Sequence, residues 1–272
     1  MTLQGQVALV TGGGRGIGRA IAIALANEGA AIAVLARSQH EIDQTASEIT
    51  ANGATALAIS ADVTQRSQVE SAVDTVTKQL GPIDILINNA GGGGNSIGPV
   101  AEVNPDEWWN TVELNLRSVF LCSHAVLPSM LERKSGRIIN ISSALALRPG
   151  PNGSSYSVSK AAAIRLTDSM AVELAPNGIT VFAVSPGLVR TALTDQLTNS
   201  EAGQKWLPHM QHIPDNQWTP PEEGAALVAA IASGKADALS GRYLHVTDDL
   251  DDLIARADEI RTNDTLTLRL RR

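Results

Sequence analysis

Short, nearly unbroken apolar runs recur along the chain, and each is followed by a longer stretch whose apolar positions repeat at helical spacing. The runs are VALVT at 7–11, AIAVLA at 31–36, ATALAIS at 54–60, IDILIN at 83–88, RIINIS at 137–142, ITVFAVS at 179–185 and RYLHV at 242–246. Because they do not alternate polar with apolar residues, they read as seven strands buried on both faces, the pattern of a parallel sheet. The intervening periodicity predicts helices at 16–28, 39–51, 66–79, 106–133, 155–175 and 221–233. The fold class that follows is α/β, a doubly wound, seven-stranded parallel sheet with helices on both faces.

Two stretches break this rhythm. Residues 190–220 combine Trp206 and Trp218 with Pro208, Pro214 and Pro220, and a long segment between a strand and the next helix reads as a substrate lid. The tail, 248–272, runs from acidic to basic and predicts a helix followed by a short extended piece. No repeat or low-complexity linker divides the 272 residues, so a single domain, 1–272, is expected.

Composition narrows the chemistry. Aromatic residues are only 3%, so the core must be built from Ala, Val, Leu and Ile. A net charge of −7 argues against nucleic acid or an anionic membrane as the main partner. The single cysteine, Cys122, rules out an intramolecular disulfide and a cysteine cluster for zinc. Its neighbourhood, VFLCSHAV, predicts packing rather than nucleophilic chemistry. MTLQGQVALV lacks the basic flank and apolar core of a signal peptide, and no run reaches membrane-spanning length, so a cytoplasmic location is expected.

TGGGRGIG, 11–18, places five glycines between the first strand and the first helix. Phosphates approach bare backbone amides and the positive end of a helix dipole at such a place. The spacing Gly12, Gly16, Gly18 is Gly-x-x-x-Gly-x-Gly, not the usual Gly-x-Gly-x-x-Gly. An NAD-preferring chain usually ends its second strand with Asp or Glu; here the sequence reads VLARSQHE, with Ala36, Arg37 and Ser38. Arg37, together with Arg15 from the glycine loop, suits a 2′-phosphate. NADP(H) is therefore the expected cofactor, with NAD(H) the weaker choice.

In SSYSVSKAAAIRL, Tyr156 and Lys160 stand four residues apart and share a helix face. A free phenol has a pKa near ~10, and a neighbouring cation favours its ionised form, so the pair predicts a tyrosine tuned for proton transfer.

With these residues in place, the chain resembles the short-chain dehydrogenase/reductase family in its compact form, from about Gly5 to Val246. The resemblance implies a Rossmann-type fold and assigns Gly12, Gly14, Arg15, Gly16, Ile17 and Gly18 to the cofactor loop. Asp62 and Val63 match the pair that holds the adenine, and Asn89, Ala90 and Gly91 lie in the matching NNAG segment. Pro186, Gly187, Val189 and Thr191, in SPGLVRT, match the segment beside the nicotinamide. Asn115, Ser143, Tyr156 and Lys160 match the catalytic tetrad. Adjacent strand residues face opposite ways, and the thirteen-residue step to Tyr156 selects Ser143 over Ser142 as the substrate-oxygen donor. Lys160 would also bind the nicotinamide ribose, and Asn115 would hold a water that reconnects Lys160 with solvent.

The implied activity is interconversion of a ketone or aldehyde with an alcohol, acting on a small molecule. A narrower alternative is reduction of 3-oxoacyl groups on acyl carrier protein, with Arg133, Lys134 and Arg137 as a basic docking patch. A nucleotide sensor without catalysis would not need Ser143, Tyr156 and Lys160 together. The family also implies a homotetramer, or failing that a dimer, built on the helices beginning near Trp108 and carrying Tyr156. His209 and His212 read as lid residues rather than metal ligands, and His124 and His245 as core histidines. The ending GRYLHVTDDLDD departs from the family's short glycine-rich finish and puts the usual C-terminal subunit contacts in doubt. Substrate walls are expected from 92–98, 144–153 and 190–220.

Overall fold

The computed structural model describes residues 1–270. Seven strands form one sheet: β1 (Val7–Thr11), β2 (Ala31–Ala36), β3 (Ala56–Ser60), β4 (Ile85–Asn88), β5 (Gly136–Ile141), β6 (Ile179–Ser185) and β7 (Tyr243–His245). All pairings are parallel, in the order β3-β2-β1-β4-β5-β6-β7. The chain therefore winds outward from β1 in one direction and from β4 in the other, which opens a crevice at their C-terminal ends.

The helices are α1 (Gly16–Asn27), α2 (Gln39–Ala51), α3 (Arg66–Gln79), α4 (Pro105–Val112), α5 (Ser118–Arg133), α6 (Ser154–Leu174), α7 (Ala192–Asn199), α8 (Glu201–Trp206), α9 (Pro221–Ala232), α10 (Leu250–Ala255) and α11 (Ala257–Thr262). Strand alternation sorts them into layers. Ala8 and Val10 face one side, where Ile21 and Leu25 of α1, Ile42 of α2 and Val228 of α9 cover them. Val7 and Leu9 face the other, against Val69 of α3, Val126 of α5 and Met170 of α6. Cys122 lies in this second layer, 2% exposed, and burial pushes its thiol up to about 12, so it packs as a small hydrophobe.

The helix predicted at 106–133 is interrupted. Glu113–Arg117 forms a π-helical turn between α4 and α5. Its centre, Asn115, donates through Nδ2 to the Thr111 carbonyl at 3.0 Å, four residues back, and so competes with the backbone ladder. Periodicity cannot register one extra residue in a turn. His124, expected in the core, is exposed on α5 beside Phe120.

The tail also differs from expectation. It forms α10 and α11, and then an irregular segment that covers the outer edge of the sheet: the Tyr243 amide donates to the Leu266 carbonyl at 2.8 Å. Arg269 reaches Asp168 of α6 at 2.7 Å and Arg242 reaches Asp264 at 2.9 Å. Leu268 packs with Tyr243, Ile164 and Ala146. The last two residues of the predicted extended piece, 271–272, lie outside the described residues.

Candidate active site

A cleft of about 1380 Å³ opens over the C-terminal ends of the strands. Each predicted site residue except Asn115 lines it: the glycine loop, Arg37 and Ser38, Asp62 and Val63, Asn89 to Gly91, Ser143, Tyr156, Lys160, and Pro186, Gly187, Val189 and Thr191. The residues come from the ends of β1 to β6 and meet because all six strands point the same way.

The glycine loop owes its composition first to self-contact. A Cβ at Gly18 would stand 2.1 Å from the Gly12 carbonyl oxygen, and one at Gly12, where φ is +64°, would meet Asn89 Nδ2 at 2.8 Å. Gly14 abuts Glu41 in the same way, at 2.8 Å from its Cβ. The sequence alone attributes this bareness to an approaching pyrophosphate; at Gly12 and Gly18 the protein's own backbone occupies the space. What remains for an anion is the start of α1, whose cap, Arg15, supplies no side-chain acceptor and whose first turn contains no acid.

Thr11 was not singled out from sequence and organises this end. Its hydroxyl donates to the Ile87 carbonyl at 3.1 Å and accepts from the amides of Asn89 and Ala90, each at 3.0 Å. Asn89 in turn donates to the Thr11 carbonyl at 2.9 Å. Beneath them Asn88 donates to Asn140 at 2.8 Å, and Asn140 to Thr167 of α6 at 2.8 Å. Short polar residues at the ends of otherwise apolar strands were the available signal for this buried chain.

At the end where the sequence predicts the adenine, Asp62 accepts through Oδ1 from the Thr64 amide and hydroxyl at 2.9 and 2.8 Å, leaving Oδ2 without a partner among the described residues. Ser38 caps α2. Arg15 meets Glu41 at 3.2 Å, whereas Arg37 is exposed and has no acidic partner among the described residues.

The reactive end is assembled on α6 and the segment after β5. Ser143 accepts from the Leu145 amide at 3.2 Å, which fixes the turn that carries it. Both serines border the cleft, but Ser142 is 3% exposed and donates to the Lys160 carbonyl at 3.3 Å, so it braces α6, whereas Ser143 is half-buried. Lys160 Nζ donates to the Ile141 carbonyl at 2.8 Å, and burial holds its pKa down at about 8. Burial pushes the Tyr156 phenol up, and a hydrogen bond with Ser143 pulls it partly back. Desolvation is the largest influence on the phenol, and Ser143 is the side chain that opposes it.

Asn115 is fully buried behind the cleft. Its amide donates to the Gly92 carbonyl at 2.7 Å and accepts from the Gly92 amide at 3.0 Å. Both amide hydrogens are used, and Oδ1 retains one acceptor site. A Cβ at Gly91 would lie 2.6 Å from Asn115 Oδ1 and 3.2 Å from Lys160 Nζ, so only glycine keeps the way between them clear.

The remaining walls fall where 92–98, 144–153 and 190–220 were expected. Hydroxyls of Ser96, Thr111 and Ser155 form a buried chain joining the first wall to α4 and α6, and Trp108 donates to Ser154 at 3.0 Å. Thr191 caps α7 in a reciprocal pair with Thr194. His245 lines the cleft and bonds Thr247 at 2.8 Å.

Of the predicted basic patch, Lys134 is exposed and the two arginines are held in ion pairs. Arg133 is held by Asp84 at 2.6 Å and Arg137 by Asp237 at 2.7 Å. Both pairs lie at the N-terminal ends of β4 and β5, across the sheet from the cleft.

Comparison with known proteins agrees with this geometry. The short chain dehydrogenase family model matches residues 6–202. A 3-oxoacyl-[acyl-carrier-protein] reductase from Synechocystis sp. is 39% identical over 246 residues, 90% of this chain and 96% of the relative. Among solved structures, NAD+-bound xylitol dehydrogenase is 30% identical with a TM-score of 0.82, covering 90% of this chain and 98% of that one. An actinorhodin polyketide ketoreductase with NADPH is 33% identical, with a TM-score of 0.80 and coverage of 92% and 98%. The chain belongs to the short-chain dehydrogenase/reductase family. It is an oxidoreductase of the kind acting on CH–OH groups.

Proposed function

We propose that the chain interconverts a ketone or aldehyde with an alcohol, with NADP(H) as its cofactor. The observation that carries this reading is the convergence of Ser143, Tyr156 and Lys160 on one cleft whose far end holds the uncapped start of α1 and the unpaired Arg37. The donor set suits a dinucleotide: bare first-turn amides for phosphates, Asp62 Oδ2 for an adenine amine, and Lys160 for a ribose. When bound, the nicotinamide supplies reducing equivalents as hydride.

The chain's own residues handle the proton and the oxygen. Ser143 donates to the substrate oxygen and stabilises charge developing there. Tyr156, kept protonated by burial, gives its proton to that oxygen in reduction and takes it back in oxidation. Lys160, buried with a pKa of about 8, holds a mobile proton near neutrality, and Asn115 Oδ1 marks the route by which water restores it past Gly91.

Arg37 and Arg15 favour a 2′-phosphate over a free 2′-hydroxyl. The 3-oxoacyl alternative draws on the Synechocystis relative, with exposed Lys134 the cation of the predicted docking patch that no ion pair holds among the described residues. Assembly as a homotetramer is the companion proposal, supported by exposed Trp109, Phe120 and Val172 on α4, α5 and α6. No helix among the described residues is long and apolar enough to cross a membrane, and we place the protein in the cytoplasm.

The experiment is Tyr156→Phe assayed with NADPH on a carbonyl panel, beside fluorescence titration of the cofactor. Turnover should fall by roughly 10²-fold or more with cofactor binding kept. Ordinary activity in the variant would overturn the reading.

A further inference from the structure

The substrate half of the cleft is apolar. Ile97, Leu145, Leu193, Leu197, Met210 and Ile213 line it, from both walls and the lid. The lid is seated on those walls. Gln196 of α7 donates to Gly94 and Asn95 at 3.3 and 3.1 Å, and Asn152 donates to the Trp206 carbonyl of α8 at 3.0 Å. A Cβ at Gly93 would stand 3.0 Å from Leu193, so the leucines of α7 press directly on the wall.

Of the two arginines that line this half, one has no ion-pair partner among the described residues. Arg190 is paired with Asp215 and lies over the Trp218 ring at 5.0 Å. Arg148 also lines the cleft, is exposed, and forms no ion pair among the described residues. Its two companions, Leu145 and Leu147, are 48% and 50% exposed, so a cation stands amid apolar surface left open. Arg148 follows Ser143 by five residues, which span at most about 17 Å, and the helical turn at Ala144–Ala146 shortens the reach. Among the described lid residues that line the cleft, Asp195 of α7 is the only carboxylate.

Resting on the oxidoreductase reading above, we propose that the substrate is a carbonyl compound with an apolar chain ending in an anion, which Arg148 receives while Asp195 repels it. The carbonyl lies at Ser143 and Tyr156, the chain crosses the leucine-lined wall, and the guanidinium sets the end. Carboxylate and phosphate share this chemistry.

The test uses matched pairs: medium-chain oxo acids against their methyl esters, and oxoalkyl phosphates of the same chain lengths against the corresponding hydroxy ketones. The wild type should prefer the anionic member by about fivefold or more in kcat/KM, mostly through KM. Arg148→Ala should collapse that ratio toward one, Arg148→Lys should keep part of it, and Asp195→Asn should raise it. The acid pair responding alone identifies a carboxylate; the phosphate pair alone identifies a phosphate. A wild-type ratio near one, or a ratio that Arg148→Ala leaves in place, overturns the proposal. If no pair is turned over, the Tyr156→Phe comparison on the carbonyl panel decides the catalytic reading separately, and calorimetric titration of the same pairs into wild type and Arg148→Ala still reads the preference for or against the anion.

Discussion

The Lys160 ammonium stands 5.8 Å from the centre of the Tyr156 ring and donates to the Ile141 carbonyl, not to the phenol. The two groups therefore communicate through space and through whatever binds between them. Burial penalises the charged amine, and this makes Lys160 a cost to stability.

Lys160→Met should test that cost. The native pKa of about 8 lies below the ordinary 10.5, so between those values the unfolded chain binds the proton that the folded chain has released. Stability from this group consequently rises with pH across that window. The variant should be more stable than the parent by on the order of 3 kcal/mol below pH 8, with the gap closing by about pH 10.5. Denaturant titrations at graded pH measure it, while turnover is lost.

Ser143 is the group that pulls the phenol down. In Ser143→Ala the deprotonation needed for alcohol oxidation should move to higher pH, with turnover reduced roughly 10²-fold at neutrality. A pH profile of kcat for oxidation gives the shift directly; an unmoved limb would assign the titration to another group.

Cofactor preference rests on a small charge balance. If NADP(H) is the cofactor as proposed, Arg37→Asp should shift the NADPH-to-NADH affinity ratio toward NADH by about tenfold or more. Glu41→Gln, which frees Arg15 from its 3.2 Å pair, should strengthen NADPH binding modestly because the pair is solvent-exposed. Dissociation constants for both dinucleotides settle both cases.

Two glycines separate folding from turnover. Gly18→Ala places a methyl 2.1 Å from a carbonyl oxygen and should destabilise by about 3 kcal/mol or more, read in the melting temperature. Gly91→Ala meets movable side-chain atoms instead, at 2.6 and 3.2 Å, and should slow turnover with a smaller loss of stability.

Continuous apolar runs made the sheet legible: VALVT, AIAVLA and ITVFAVS form strands at the positions the sequence indicates, because residues buried on both faces leave no ambiguity of period. Tyr156 and Lys160 were legible through helix spacing, and the cofactor-loop residues through their position after β1. Three things were not. The π-turn at Asn115 depends on a side chain bonding to a loop distant in sequence. The balance acting on Tyr156 depends on burial, which periodicity does not measure. The pairing of Arg133 and Arg137 depends on Asp84 and Asp237, brought near only by the fold.

Leu266 gives the outermost strand its hydrogen-bond partner, and Leu268 with Arg269 fastens that cover to the helix bearing Tyr156. Synthesis reaches these residues only after every strand has been made, so a nascent chain carries a naked rim until its closing stretch emerges. A molecule nicked after residue 262 would keep the entire reaction centre yet offer that rim to its neighbours, and cleavage there should reveal itself as turbidity before it reveals itself as lost catalysis.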